Sequence, residues 1–273
     1  MSSRESALAA LIDSVPVDGE FPPTLVLPEY IHNRTLASVA QTGNDGRERS
    51  LHFHHRFGRW SGGLAMRGPH AELDDEGNFV GAQGNRLHHL MTVINRPQVH
   101  VHTHPTFVSN FFKAREALSP EAEILLADLN QSMGTIQARV PSGSDVQGTL
   151  EMPWASVAHI IGAESGSFLW MHKDVHSPHN SFFARPGKSA EHAKAMGQLA
   201  DKSQGTVIRF GDEKALMNVG AKLDKKTTAQ QLLEARAWAL SSRYVCYASD
   251  DVENPVLKIV VPGENVKKQE VAL

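Results

Sequence analysis

The sequence predicts an α/β (α+β) fold, a mixed β-sheet flanked by helices, on two kinds of observation. Short segments with period-two alternation or a continuous apolar run, such as 99–104, 157–162 and 256–261, are bounded by turn-forming residues and read as strands. Segments with apolar residues at helical spacing, such as 30–39, 189–202 and 228–240, alternate with them along the chain. A length of 273 residues, with 41% hydrophobic and 21% charged content, supports a substantial core.

Taken in order, residues 2–14 form a short helix with Leu8, Leu11 and Ile12 on one face, and 18–23 form a turn. Residues 24–27 make a strand stopped by Pro28. Residues 30–39 make a helix on Ile31, Leu36 and Val39, broken by the Gly43-Asn44-Asp45-Gly46 run. Glu48 then opens a strand from Ser50, with Leu51, Phe53 and His55 sharing a face. The Gly-, Asp- and Asn-rich stretch 58–86 predicts hairpins with irregular loops, 87–94 another strand, and 95–97 a turn. Gln98 leads into the strand at 99–104. Ser119-Pro120-Glu121 starts a helix, with Pro at its first position, that continues through Ile124, Leu125, Leu129 and Met133. Segments 157–162 and 167–171 pair as a hairpin across Ala163 to Gly166. Beyond a loop at 176–187 come a helix at 189–202 and a strand at 206–210. A helix capped by Thr227 or Thr228 runs to Leu240, and strands at 244–248 and 256–261 follow.

These elements divide into an N-terminal helical extension at 1–23, a central domain at 24–180 with an insertion at 106–140, and a C-terminal α/β extension at 181–273. A net charge of −3 offers no basic field suited to nucleic acid. No apolar run has the length of a signal sequence or a bilayer span, so no membrane partner is expected and the expected location is cytoplasmic. Cys246, the only cysteine, rules out an intrachain disulfide, fits a reducing compartment and reads as a buried inert thiol. Any metal site must then be built mainly from His, Asp and Glu.

One stretch supplies such residues. His100, His102 and His104 alternate with Val99, Val101 and Thr103, so His102 and His104 project from one face of a strand, where two imidazoles can meet one metal ion. Pro105 cannot continue a central ladder and ends the strand there. Farther on, Pro141-Ser142-Gly143-Ser144-Asp145 places a carboxylate three residues after a serine on a turn-forming segment. Ser142 also reads simply as a turn residue and Asp145 as a helix cap. His52, His54, His55, His88 and His89 read as structural or surface histidines. His100, one step deeper than the ligand pair, reads either that way or as a support behind it.

His102-Thr103-His104-Pro105 followed by Ser142-Gly143-Ser144-Asp145 resembles the H-x-H-P…S-x-x-D signature of the JAMM metalloproteases (MPN/JAB superfamily). The resemblance covers roughly residues 24–172. It implies a JAMM/MPN-like mixed sheet flanked by helices, with a glutamate after a first strand and helix. Glu48 holds that place, while Glu72 and Glu76 lie in an acidic, Gly-rich loop that reads as solvated surface. Position by position, it implies Zn2+ bound by His102, His104 and Asp145 with one open position, Glu48 as general base, and Ser142 as donor to the oxyanion. The activity implied is hydrolysis of a peptide or isopeptide bond, with ubiquitin or a ubiquitin-like conjugate as the protein partner. The chain departs from the signature in separating its two halves by 35 residues, 106–140, where the family has a short loop. The ends of such an insertion can still lie close together, because closure entropy grows slowly with length, so it reads either as a substrate-binding lid or as a sign that Ser142 and Asp145 are not the matching pair.

Two other functions use the same residues. Metal-dependent phosphoesterases and amidohydrolases also use H-x-H, but near the start of a barrel, and too little chain follows residue 102 for a (β/α)8 barrel. A non-catalytic MPN scaffold would lack ligands, and none is missing here.

Overall fold

A computed structural model describes residues 8–9, 21–45, 47–68, 72–73, 79–80, 98–104, 124, 140–151, 156–172, 189–204, 235–236, 238–242 and 244–261. The strands expected at 87–94 and 206–210, the loop at 176–187 and the caps at Thr227 or Thr228 lie outside these residues. So do the helix at 119–133, Ile124 apart, and nearly all of the 106–140 insertion.

The fold is mixed α/β, built on a nine-stranded sheet. In chain order its elements are β1 (Thr24–Val26), α1 (Glu29–Asp45), β2 (Arg49–Arg56), β3 (Arg59–Gly62), β4 (Met66–Arg67), β5 (Glu72–Leu73), β6 (Phe79–Val80), β7 (Val99–Thr103), α2 (Gly143–Glu151), β8 (Ala158–Ala163), β9 (Gly166–His172), α3 (Ala190–Gln204), β10 (Tyr244–Ala248) and β11 (Val256–Val261). Strand order is β1-β11-β10-β9-β8-β7-β2-β3, with β4 also pairing with β2 and β5–β6 forming a separate two-stranded ribbon. Among the described strands, β7 and β8 alone run parallel, joined by the long connection that contains α2. The sheet crosses the boundary expected at residue 181: β10 and β11 lie hydrogen-bonded between β9 and β1.

The alternation of each strand sorts the core into two layers. Leu51, Phe53, Val99, Val101, Ile160, Leu169, Val245 and Tyr247 pack on one face with Ile31 of α1, and with Leu8, Phe21 and Leu25. Ile161, Phe168, Trp170, Tyr244 and Cys246 pack on the other with Val146 and Leu150 of α2, Ala193 and Ala200 of α3, and Trp238. Leu8 and Ala9, within the expected N-terminal helix, are helical and buried, and Cys246 is a buried thiol outside any disulfide.

Helix α1 outlasts the expected break at Gly43 and runs to Asp45. Its last turn is held by tertiary contacts: Asp45 takes the Arg49 guanidinium on both carboxylate oxygens, at 2.9 and 2.6 Å. Gly162 of β8 lets the helix lie close, because a Cβ there would stand 2.7 Å from Thr35 Cγ2 and 3.0 Å from Val39 Cγ2. The β2–β3 hairpin turns on Phe57 and Gly58, both at positive φ (52° and 71°), as a two-residue loop requires.

Candidate metal centre

Strand β7 carries His102 on the α2 face and stops at Thr103, so His104 stands at the strand's exit, its amide donating to Gly162 O at 3.1 Å. On the far side of the gap, α2 begins with a reciprocal cap. Ser142 Oγ donates to Asp145 Oδ2 at 2.7 Å, the Ser142 amide donates to the same oxygen at 2.8 Å, and the Asp145 amide donates back to Ser142 Oγ at 3.2 Å. Ser142, expected as a turn residue, is therefore the N-cap, and Asp145, expected as the cap, is its partner three residues on; the arrangement also aims the carboxylate at the histidines.

His102 Nε2 and His104 Nε2 are 3.0 Å apart. Asp145 Oδ1 lies 3.3 Å from the first and Oδ2 lies 3.5 Å from the second. This group could hold a metal ion, all its ligand atoms lying within 4.8 Å of one another. The spacing suits a tetrahedral ion: bonds of about 2.0–2.1 Å at tetrahedral angles put ligand atoms about 3.3 Å apart. Two imidazole nitrogens and one carboxylate also leave one position open. His102 Nδ1 is buried with no hydrogen-bond partner among the described residues, so only the contacts at Nε2 bear on where its proton sits.

Glu48 reaches this group from the neighbouring strand. The β2–β7 register pairs Ser50 with His102 and ends there; Glu48 and His104, each two residues farther along its own segment, fall on the same side as that pair by alternation. Burial pushes the Glu48 carboxyl up, His104 and His102 draw it back in part, Asp145 raises it again, and the net direction is upward. Burial alone would also raise the Asp145 carboxyl, but His102 and His104 outweigh it and hold Asp145 well below the usual carboxylate range. His102 feels burial first, which lowers it. The charge and hydrogen bond of Asp145, and then Glu48, more than reverse this, so that it binds its proton more tightly than free imidazole. A metal entering there displaces that proton.

Behind the ligands runs a row of rings. His100 stacks on His102, with centroids 5.6 Å apart, and shares a 2.7 Å hydrogen bond between its Nε2 and Ser50 Oγ. The register sets His52, His100 and His159 side by side on β2, β7 and β8, and His159 stacks on Trp170 at 5.2 Å. His52 and His159 are buried, while His54 and His55 are half-buried. Glu72 falls in strand β5, and Glu76, His88 and His89 lie outside the described residues. Sequence reasoning did not single out His159, nor Thr103, Arg49, Thr42 and Asp45 as a set. Thr103 left one signal, as the polar member of a face otherwise made of Val99 and Val101.

No family model, curated protein or solved structure matches the chain. Among the described residues, no helix is long and apolar enough to cross a membrane.

Proposed function

We propose that the chain is a zinc-dependent hydrolase of peptide or isopeptide bonds, of the JAMM type (MPN/JAB superfamily), acting in the cytoplasm on ubiquitin-like precursors or conjugates. The observation that carries the reading is the convergence of His102, His104 and Asp145 at 3.0–3.5 Å, with Glu48 electrostatically coupled to all three. The order β1, α1 and then Glu48 at the entry to β2 supports it, being the order that the resemblance implies.

Zinc held by His102, His104 and Asp145 would supply Lewis acidity to the scissile carbonyl and to the attacking water. His102 Nε2 and His104 Nε2 give neutral donors, and Asp145 gives the one anionic donor. Glu48, just before the adjacent strand β2, stands outside that ligand group. Burial raises its proton affinity, which suits a carboxylate that must take a proton from water and return it to the leaving nitrogen. Ser142 Oγ, at the positive end of α2, donates to the developing oxyanion once it turns from Asp145.

The test is metal content together with turnover on a panel of ubiquitin-like C-terminal fusions. The wild-type chain should carry one zinc, and His104→Ala should lose it. Glu48→Gln should keep zinc and fold while turnover falls by about 10²–10⁴. Unchanged turnover in Glu48→Gln removes the proposed base, and unchanged zinc in His104→Ala removes the site.

A further inference from the structure

The backs of the two strands that carry the site are bound to each other and to α1 by a buried polar cluster. Alternation places Glu48, His102 and His104 toward α2, and Arg49 and Thr103 toward α1. The β2–β7 ladder ends at Ser50 and His102. One residue farther, the Arg49 amide donates to the Thr103 side-chain oxygen at 2.9 Å rather than to a main-chain carbonyl. That oxygen is 2.6 Å from Thr42 Oγ1 of α1. The Arg49 guanidinium continues the cluster: Nε donates to Gln41 Oε1 at 3.0 Å, Nη1 to Thr42 Oγ1 at 3.3 Å and Arg47 O at 2.9 Å, and both Nη atoms to Asp45. Thr42 and Thr103 are fully buried, and Arg49 nearly so.

We propose that Thr103 and Arg49, clasped to Thr42 and Asp45 of α1, are positioning residues that set the separation of Glu48 from the His102–His104–Asp145 group. The inference rests on the hydrolase reading for what that separation accomplishes. Thr103 is flanked in sequence by the two ligand histidines and Arg49 directly follows Glu48, so one hydroxyl ties the two backbones to each other where the ladder no longer does, while the Gly68 amide holds Glu48 O and Gly162 O holds the His104 amide from the outer sides. A fold-stabilising contact could lie anywhere along β2 and β7. This one stands at the step between the base and the two ligand histidines, where a shift moves one relative to the other, and a displacement of about 1 Å at a reacting centre can cost about a hundredfold in rate.

The experiment compares Thr103→Val, which keeps the branched shape and loses the oxygen, with Thr103→Ser, which keeps the oxygen. Each is measured for kcat and KM on the cleaved fusion and for zinc affinity by chelator competition. Thr103→Val should lose ten- to a hundredfold in kcat with KM within about twofold, and bind zinc at least about tenfold more weakly, while Thr103→Ser stays within about threefold of wild type in both. A merely structural contact would lower the melting temperature of Thr103→Val and leave the kcat and zinc affinity of the folded protein unchanged, and that result overturns the proposal. If Thr103→Val does not fold, Thr42→Ala cuts the same hydroxyl pair from the helix side with the Arg49 amide still bonded. It should lose kcat likewise, and wild-type kcat and zinc affinity there overturn the proposal. Wild-type protein without amide turnover, but with zinc affinity that separates Thr103→Val from Thr103→Ser, refutes the amide reading and leaves the clasp standing.

Discussion

Ser142 Oγ donates to Asp145 Oδ2 and accepts from the Asp145 amide, so the same hydroxyl that caps α2 also holds a candidate ligand in place. Alanine at this position removes both the cap and any oxyanion donor, whereas glycine, a tolerable cap residue, removes only the hydroxyl. Ser142→Ala should therefore lose about 0.5–2 kcal/mol of stability, and Ser142→Gly only a few tenths of that scale. Both should lose about 10²–10³ in kcat if the hydroxyl faces the oxyanion. Denaturant melts and turnover on the same preparations separate the two roles, and a rate loss confined to Ser142→Ala would assign Ser142 to the cap alone. Much at this scale is readable from sequence, because S-x-x-D is both a capping pattern and a ligand spacing. Partnerships through side chains far apart in sequence, such as Arg49 with Thr103, leave almost no trace in it.

Among elements, the strands at 24–27, 99–103, 157–162, 167–171, 244–248 and 256–261 were readable because a two-residue period or a short apolar run survives burial on both faces. The end of α1 was not: Gly43 to Gly46 carries every local mark of a loop, and the Arg49–Asp45 pair overrides it from outside the segment. The packing of α3 on α2 was equally hidden, since it depends on one glycine. A Cβ on Gly197 would stand 2.8 Å from Gly143 O, in the first turn of α2, and 3.4 Å from Gln147 Cβ. Gly197→Ala should push α3 away from the turn that holds Asp145, costing about 1–3 kcal/mol and weakening any metal binding there. Gly148→Ala, where a Cβ meets nothing within 4 Å, should instead stabilise α2 by up to about 1 kcal/mol. Equal melting temperatures for the two variants would show that α3 does not bear on the site in this way.

Across the whole molecule, the sheet joins segments that the sequence offers no means of ordering: β1 near the start pairs with β11 near the end, and the site forms where β2, β7 and the start of α2 meet. The same sheet buries a cross-strand row of imidazoles that makes stability depend on pH. Burial lowers His52 to about 4, with His54 adding to the shift. His159 falls to about 3, chiefly through burial and then through His102, with Asp145 opposing. Both groups have folded values below the unfolded one of about 6.5, so below that pH the unfolded chain binds protons that the folded chain refuses. Their stabilising contribution is complete above about pH 6.5 and is lost progressively as pH falls toward 4 for His52 and toward 3 for His159. In metal-free protein, the free energy of unfolding should decline steadily from pH 6.5 to 4. His159→Asn can keep a hydrogen bond near Ser156, whose Oγ lies 2.9 Å from His159 Nε2, and carries no ionisable ring. It should be less stable than wild type at pH 7, because it packs less well on Trp170, yet should lose distinctly less stability on going to pH 4. Urea melts of both proteins at several pH values measure the two slopes, and parallel slopes would mean that His159 accepts its proton in the folded state as readily as in the unfolded chain.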